Sequence, residues 1–482
     1  MVQSGTGLTG SGTAGTVIYV SRLMGTANQR VLDAADSNWL LGYHSGMLDR
    51  AYYEGWVSTG ATATTQPRVY SAVIRGSGLA SDLVANGQVV ASNTAGTRMP
   101  QHLRFNNGYG GESSDAEFGE LLAFDRVLTP IERLTVETAL AQKWGVSFAA
   151  GTVALTGTVF EDVNYGGGAG RDLTTALAAG ANRLANARVE LYSSAGAFLQ
   201  ATTTDTNGQY AFQVATSTAY TVRVVNGTVS SARAGGSTSG LSPVQTFRTT
   251  VSGGTASPVT NRVGGENPDA ADATSNTTSA TLASLTASGV TPQSIASVTT
   301  GSGSLVTGVD FGFNFSTIVN TNDAGQGSLR QFITNANALG GESTLVQAGR
   351  TVGIESSIFV LPTTSSGYQS ATQHWRISPT STLPTLSSPL TAIDGLTQSG
   401  AAAGDLWGGV THTLKVELSG GFSGLNVTGN DVTLRGLVIG GSTASAVAVN
   451  GSQRFTLRTS YIGSDVTGAS ANNVSSYCVY VA

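Results

Sequence analysis

The chain has 482 residues and a formal net charge of −5, and only 11% of its residues are charged, against about 25% in an average soluble protein. Because no basic cluster is present, nucleic acid and anionic membrane surfaces are poor partners, and no apolar run reaches the ~18 residues of a membrane span. With 63 glycines and 11 prolines, the composition predicts an all-β protein of several domains, built from short strands and tight turns.

Residues 1–150 are predicted to form the first domain. Strand-like segments alternate with Gly, Asn and Asp turns. Near the end, Thr129, Pro130 and Glu132 form the capping pattern that begins a helix, and Gly145 is placed to end it. The pattern therefore predicts one helix closing a domain of strands.

A family resemblance supports this interpretation. Two parts of this sequence resemble LamG-like, concanavalin A-like domains. The closing strand and helix of those domains are resembled by residues 119–133 with 143–145, and their central strands by residues 38–44 and 53–57. The resemblance implies a jelly-roll sandwich.

Aromatic side chains crowd into residues 39–56 of this domain, and aromatic faces suit stacking on sugar rings. We take four side chains there as candidate glycan ligands: Trp39, Tyr43, His44 and Trp56. Strand alternation puts Trp39, Leu41 and Tyr43 on one face, which favours a place in the sandwich core for that group. Both interpretations are carried forward.

Residues 151–316 are predicted to form the second domain. This part of the chain resembles the B-type β-sandwich repeats of bacterial surface proteins, the SdrD B-like and Cna B-like folds. The resemblance lies in a closing segment, 309–313, and in four segments of alternating polar and apolar residues, 153–164, 187–192, 202–212 and 220–225. Residues 226–305, rich in Gly, Ser and Thr, are interpreted as an insertion that is largely loop. No lysine lies between residues 144 and 414, which excludes a Lys-dependent isopeptide bond in this domain.

The resemblance also implies calcium in some domains of this class. Carboxylate and amide oxygens are the ligands that calcium prefers, and the candidate ligands are Asp162, Asn164, Asp172, Asp205 and Asn207. The competing interpretation is that Asp205 to Gly208 form an ordinary hairpin turn. It is favoured for Asp205 and Asn207, while calcium stays the expected cofactor.

Residues 317–344 are predicted to be a lead-in with a capping helix, and residues 345–482 a right-handed parallel β-helix of the pectin-lyase-like kind. Segment 432–440 aligns without a gap on 455–463, and the pattern Thr-Leu-Lys/Arg occurs at 413–415, 433–435 and 456–458. A period of 20–25 residues with β-branched and Gly corners is typical of stacked rungs. We place Leu425 over Ala448, and expect the β-helix to be truncated at residue 482, so that the chain is a piece of a longer protein.

The predicted function is non-catalytic: an extracellular, cell-surface structural or adhesive segment of a large bacterial protein. A glycan-binding head would sit on a β-rich stalk, with glycans or matrix components as partners and self-association as a further expectation. Two alternatives stay open. One is a polysaccharide lyase or hydrolase on the β-helix or jelly roll, and the other is a self-assembling surface filament or surface-layer subunit.

Overall fold

The computed structural model describes residues 14–62, 65–106, 111–146, 152–234, 240–259, 261–276, 280–302, 305–405 and 407–482. It confirms the all-β class. The chain forms two compact units, one of Met1–Leu155 with Ala211–Thr216 and the other of Thr156–Tyr210 with Ser217–Ala482. Among the described residues, no helix is long and apolar enough to cross a membrane.

The first unit contains two antiparallel sheets and a helix. Their bounds are β1 (Gly15–Asn28), β2 (Leu32–Ala34), β3 (Trp39–His44), β4 (Met47–Tyr53), β5 (Trp56–Thr62), β6 (Arg68–Ile74), β7 (Ser81–Ala85), β8 (Gln88–Asn93), β9 (Leu103–Phe105), β10 (Ser114–Phe124) and α1 (Pro130–Trp144). One sheet has the order β10-β1-β6-β7-β8 and the other β5-β4-β3-β2-β9. Side chains from both sheets share one apolar core, as expected of a sandwich.

Helix α1 begins and ends where the capping pattern predicts. The Thr129 side chain accepts from the Glu132 backbone N–H, the Glu132 carboxylate accepts from the Thr129 N–H, and Gly145 takes the left-handed conformation at the C-cap. The apolar face, with Leu140 and Ala141, packs on Ile18 of β1. The helix therefore covers the face of this sheet opposite the sandwich core.

A large mixed sheet follows in the chain, and most of its residues belong to the second unit. The elements of this part of the chain are β11 (Thr152–Glu161), α2 (Leu173–Ala178), β12 (Asn182–Arg183), β13 (Arg188–Ser193), β14 (Phe198–Thr203), β15 (Gln209–Ala215), β16 (Ala219–Val224), β17 (Val244–Ser252), β18 (Thr255–Val259), β19 (Ala271–Asp272), β20 (Val290–Thr291), β21 (Ser294–Thr299), β22 (Leu305–Val306) and β23 (Phe311–Asn314). The order along the sheet is β12-β11-β23-β17-β21-β16-β13-β14. Strand β23 is the predicted closing strand.

The interval 226–305 contains more strand than its composition predicts. Strands β17 and β21 lie inside it and occupy the middle of the sheet, β17 between β23 and β21. Thr246, Thr249 and Thr250 in β17 explain the difference, because threonine is β-branched and suits a strand as well as a loop. The described part of this interval therefore contains loop and also supplies two central strands of the sheet.

The rest of the second unit is a stack of short parallel strands. Its elements are β24 (Thr317–Ile318), α3 (Leu329–Leu339), β25 (Glu355–Ser356), β26 (Ile358–Phe359), β27 (Tyr368–Gln369), β28 (His374–Ile377), β29 (Thr391–Asp394), β30 (Val416–Ser419), β31 (Leu425–Val427), β32 (Thr433–Arg435), β33 (Leu437–Gly440), β34 (Val447–Val449), β35 (Thr456–Arg458), β36 (Tyr461–Ile462) and β37 (Val479–Val481). Three parallel ladders run through it, β25-β29-β32-β35, β28-β30-β33-β36 and β31-β34-β37, and β27 pairs with β28 in the antiparallel direction. The predicted capping helix is α3, and its apolar face joins the core of the stack.

The register confirms the alignment of the last two repeats and corrects the earlier one. Thr433–Arg435 pairs with Thr456–Arg458, as predicted. On its other side, Thr433–Arg435 pairs with Ala392–Asp394 of β29. Residues 413–415, which the repeat pattern placed there, instead lead into β30. The cause is an excursion closed by the Ala402–Thr413 bridge, which lengthens that rung. Leu425 pairs with Val447, one residue from the predicted Ala448.

Candidate functional site

The four candidate glycan ligands of the first unit divide into two groups. Trp39 and Tyr43 are buried in the core of the sandwich. Trp39 stacks on Tyr53 with ring centroids 5.4 Å apart, and the Tyr43 hydroxyl donates to the Ser21 carbonyl at 3.1 Å. Burial raises the pKa of Tyr43 to about 12. These two side chains hold the sandwich together and do not face a ligand.

His44 and Trp56 lie together on the surface of the same sheet. Trp56 begins β5, is 39% exposed, and pairs across the strands with Tyr52 of β4. The Tyr52 ring meets Trp56 edge-on at 5.1 Å, the His44 ring lies at 6.2 Å, and the Arg50 guanidinium lies 5.2 Å from the ring centroid. We name His44, Arg50, Tyr52 and Trp56 the aromatic patch.

A carboxylate held by a cation lies beside the aromatic patch. Glu112 accepts from Arg30 Nε at 2.5 Å and lies 3.3 Å from His44 Nε2. Burial raises the pKa of Glu112, but the hydrogen bonds from His44 and Arg30 outweigh it, so the net pKa is lowered. The site therefore presents an ionised carboxylate on His44, whose ring lies between it and the partly exposed Trp56 in the chain of contacts.

Sequence reasoning found part of this site. His44 and Trp56 were named, but Arg50, Arg30 and Glu112 were not. Arg50 could have been found from its place two residues before Tyr52 on β4, because alternate residues of a strand share a face. Glu112 gave no local signal, since it is 68 positions from its partner His44.

The candidate calcium ligands lie in the second unit and have other partners. Asp162 is fully buried and accepts from Arg171 Nε at 2.8 Å, with a second contact from the same guanidinium. Burial raises the pKa of Asp162, and Arg171 limits that rise. The Asn164 side-chain oxygen accepts from the Val346 backbone N–H at 2.6 Å. Asp162 and Asn164 thus bind the protein's own groups.

The remaining three candidates cap or turn the chain. Asp172 is the N-cap of α2 and accepts from the Thr175 N–H at 2.9 Å, and this backbone hydrogen bond lowers its pKa. Asp205 accepts from the N–H groups of Asn207 and Gln209 at 2.8 Å each. Within the described residues, no group of three or more His, Cys, Asp or Glu side chains could hold a metal ion. The five residues do not form a calcium shell as arranged, and calcium binding stays a prediction.

Comparisons with known proteins place few limits on function. No protein-family model matches the chain, and no curated protein matches its sequence. Among solved structures it is similar to a Trypanosoma rangeli sialidase at 14% identity, over 28% of this chain and 24% of that one, with a TM-score of 0.22. It is also similar to a structure titled as a receptor binding domain at 9% identity, over 44% of this chain and 55% of that one, with a TM-score of 0.23. The alignment covers less than two thirds of either protein, and TM-scores this low do not indicate a shared overall fold.

Proposed function

We propose that the first unit is a carbohydrate-binding module and that the chain works as an extracellular structural and adhesive segment of a surface protein. The observation that carries the proposal is the exposed ring of Trp56, supported by Tyr52 and Arg50 on a rigid sheet. Its proposed partners are glycans of cell surfaces or of the extracellular matrix. Binding, without cleavage, is the expected activity of this site.

The aromatic patch supplies both kinds of contact that a sugar ring needs. The apolar C–H face of a pyranose can lie on the Trp56 indole, since aromatic rings give a large contact area at low cost in conformational entropy. Its hydroxyl groups can donate to Glu112, which is ionised and partly exposed. Trp, Tyr and Arg are also the residue types that most often dominate binding energy at interfaces.

Pre-organisation strengthens the case for binding. Arg50 lies against Trp56, and the Asn93 amide donates to the Trp56 and Val57 carbonyls at 3.1 and 3.0 Å. The Asn93 hydrogen bonds fix the backbone of β5 at Trp56, and Arg50 packs on the indole ring itself before a ligand arrives. A rigid platform lowers the ordering cost that otherwise reduces affinity.

The test is binding of the full chain to an array of bacterial and animal cell-surface glycans, followed by titration of the strongest ligand. Trp56→Ala is expected to weaken binding at least tenfold, about 1.4 kcal/mol. The matched control is Trp144→Ala, a tryptophan of the same unit with similar exposure, 43% against 39%, and it should bind as the unaltered protein does. Equal affinity of both variants, or no bound glycan, would contradict the proposal.

A further inference from the structure

A polar cleft lies on the outside of the parallel stack in the second unit. Its volume is about 300 Å³, and its lining includes Tyr368, Thr372, His374, Arg376, Glu417 and Asp465. Sites for small molecules start at about this size. The cleft forms over the paired strands β28 and β30. Arg376 pairs with Glu417 across these strands, and both side chains point away from the core. Their neighbours on the two strands point into the core: Trp375, Ile377, Val416 and Leu418.

Three side chains in the cleft are joined by two short hydrogen bonds. His374 Nε2 lies 2.7 Å from Glu417 Oε2, and His374 Nδ1 lies 2.7 Å from the Thr372 hydroxyl oxygen. We name Thr372, His374 and Glu417 the relay. Glu417 as a carboxylate only accepts hydrogen bonds, so Nε2 carries the imidazole proton. Nδ1 of the neutral ring is then an acceptor, and the Thr372 O–H donates to it.

Glu417 is kept ionised by further contacts. Burial raises its pKa, but the hydrogen bonds from His374 and Arg376 outweigh that effect, and the net pKa is lowered. Arg376 Nε donates to Oε2 at 2.8 Å, and the Asn472 amide donates to Oε1 at 3.2 Å. Arg376 and Asn472 are therefore positioning residues, which fix the carboxylate that in turn orients His374.

The backbone brings the hydroxyl to the imidazole. Gln373, between Thr372 and His374, has a φ of 51°, in the left-handed region that costs a non-glycine residue roughly 1 kcal/mol or more. The Lys415 ammonium donates to the Gln373 carbonyl at 2.7 Å and helps to hold this turn. Thr372 is exposed, whereas His374 and Glu417 are buried. The Thr372 hydroxyl is therefore on the solvent-exposed side of the cleft, and the His374 imidazole that accepts its hydrogen bond is buried.

We propose that the relay is a catalytic site in which Thr372 is the nucleophile and His374 the general base for hydrolysis of small carboxylic esters. Such a nucleophile is activated when its hydroxyl is hydrogen-bonded to an imidazole and a carboxylate orients that imidazole. This activity is separate from glycan binding at the aromatic patch. It uses only water as the second reactant.

The reaction runs in two balanced steps. Thr372 Oγ1 bonds to the ester carbonyl carbon while its proton passes to His374 Nδ1, and the carbonyl π electrons move onto oxygen. When the carbonyl re-forms, the bond to the alcohol oxygen breaks, and the alcohol leaves with the proton from His374. Water then attacks the acyl carbon while its proton passes to His374 Nδ1, the bond to Thr372 Oγ1 breaks as that oxygen takes the proton back from His374, and the carboxylic acid is released.

Arg376 is placed to assist the developing negative charge. Its Nε is committed to Glu417, but its side chain is 43% exposed and lines the same cleft as Thr372. The positive guanidinium favours an oxyanion formed there. A cleft of about 300 Å³ suits a short acyl group such as acetyl, with the alcohol part extending into solvent.

The test uses the full chain with p-nitrophenyl acetate as substrate and a fluorophosphonate as covalent probe. Peptide mass spectrometry is expected to find the phosphonyl adduct on Thr372. Thr372→Val should lose the adduct and at least 100-fold in kcat/KM, while Thr372→Ser keeps both because it keeps the hydroxyl. Thr411→Val, an exposed threonine outside the cleft lining, should behave as the unaltered protein does.

His374 and Glu417 are tested by separate readouts. His374→Gln should abolish labelling of Thr372, because no base remains for its proton. Glu417→Gln should lower kcat at unchanged KM, which a purely structural role would not produce. An adduct on any residue other than Thr372, an unlabelled Thr372→Ser variant, or full hydrolysis by Thr372→Val would overturn the proposal.

Discussion

Trp39 and Trp56 show how one residue type takes two roles within a single sheet. Trp39 is fully buried against Tyr53, so its ring contributes apolar burial. Trp56 keeps 39% of its surface exposed and has Arg50 beside its ring. What sets Trp56 apart is therefore its neighbours, since Tyr52, His44 and Arg50 surround its exposed ring.

The residues that could be predicted are those whose signal is local. Alternation on β3 placed Trp39 and Tyr43 in the core, and the structure bears this out. The relay was missed, because His374 and Glu417 are 43 positions apart and meet only when two rungs stack. Four scattered histidines give no pattern until the register of the ladder is known.

Asp162 gives a test at this scale of whether the predicted calcium ligands bind an ion. Asp162→Asn removes the buried charge that pairs with the partly exposed Arg171, and breaking a pair that has a buried member costs about 3 kcal/mol. If Asp162 binds only these groups of the protein, the melting temperature will fall by several degrees, by the same amount in millimolar calcium and in EDTA.

The matched control for that variant is Asp205→Asn. An amide oxygen can still accept from the Asn207 and Gln209 N–H groups, so its effect should be under about 1 kcal/mol. A calcium-dependent rise in the melting temperature that Asp162→Asn abolishes would instead support the ion.

At the scale of elements, the stacked strands were predictable only where the repeat length is constant. Ile439 lies over Leu418 and under Ile462, and both the aligned repeats and their apolar positions show this in the sequence. The preceding rung carries the excursion between Ala402 and Thr413, so Asp394 and Arg435 are 41 positions apart although they are in contact. Because an excursion of variable length changes the spacing between rungs, a search of the sequence for a fixed repeat length does not find the rung that carries it.

The Thr-Leu-Lys/Arg repeat implies that the basic residues which end each copy, Lys415, Arg435 and Arg458, stack one above the other. Arg435 and Arg458 do lie one above the other, as expected. The position below Arg435 belongs to Asp394, which contacts Arg435 at 2.5 Å and Arg350 at 2.7 Å, and not to Lys415. The single buried carboxylate of Asp394 is therefore shared by the Arg435 and Arg350 guanidinium groups.

Strand β11 carries a carboxyl group whose protonation affects stability. Burial raises the pKa of Glu161 to about 7, against hydrogen bonds from the Ala232 N–H and Ser231 and the charge of Arg233 that lower it. Between pH 4.5 and 7 the folded protein keeps a proton that the unfolded chain releases. The free energy of unfolding contributed by this group is therefore highest below pH 4.5 and is lost as pH rises through 7.

Glu161→Gln tests this pH dependence. The amide can accept from Ala232 and donate to Ser231, so folding is retained, and unfolding by urea at pH 5, 6, 7 and 8 gives the stability of each protein. Relative to the variant, the unaltered protein should lose on the order of 3 kcal/mol between pH 5 and 8. Parallel curves for the two proteins would show that Glu161 does not titrate in this range.

Across the whole molecule, a chain with few charges places several of them inside. Arg223 is fully buried between Glu190 and Asp272, and Arg233 is buried against Glu355. Buried pairs of this kind contribute little net stability, but removing one partner is costly. Composition alone predicted a weakly charged surface, and it could not show that charged residues also fix the interior of the second unit.

The two proposed activities belong to different units, the aromatic patch to the first and the relay to the second. The binding module is the central claim, because it rests on the exposed ring of Trp56 and its neighbours.

The most direct measurement of that claim is a titration of the glycan identified on the array, followed by NMR of the five tryptophan indole N–H signals. The Trp56 signal, assigned by its loss in Trp56→Ala, is predicted to shift saturably and more than those of Trp39, Trp144, Trp375 and Trp407. A saturating ligand that moves another indole and leaves Trp56 unchanged would contradict the account.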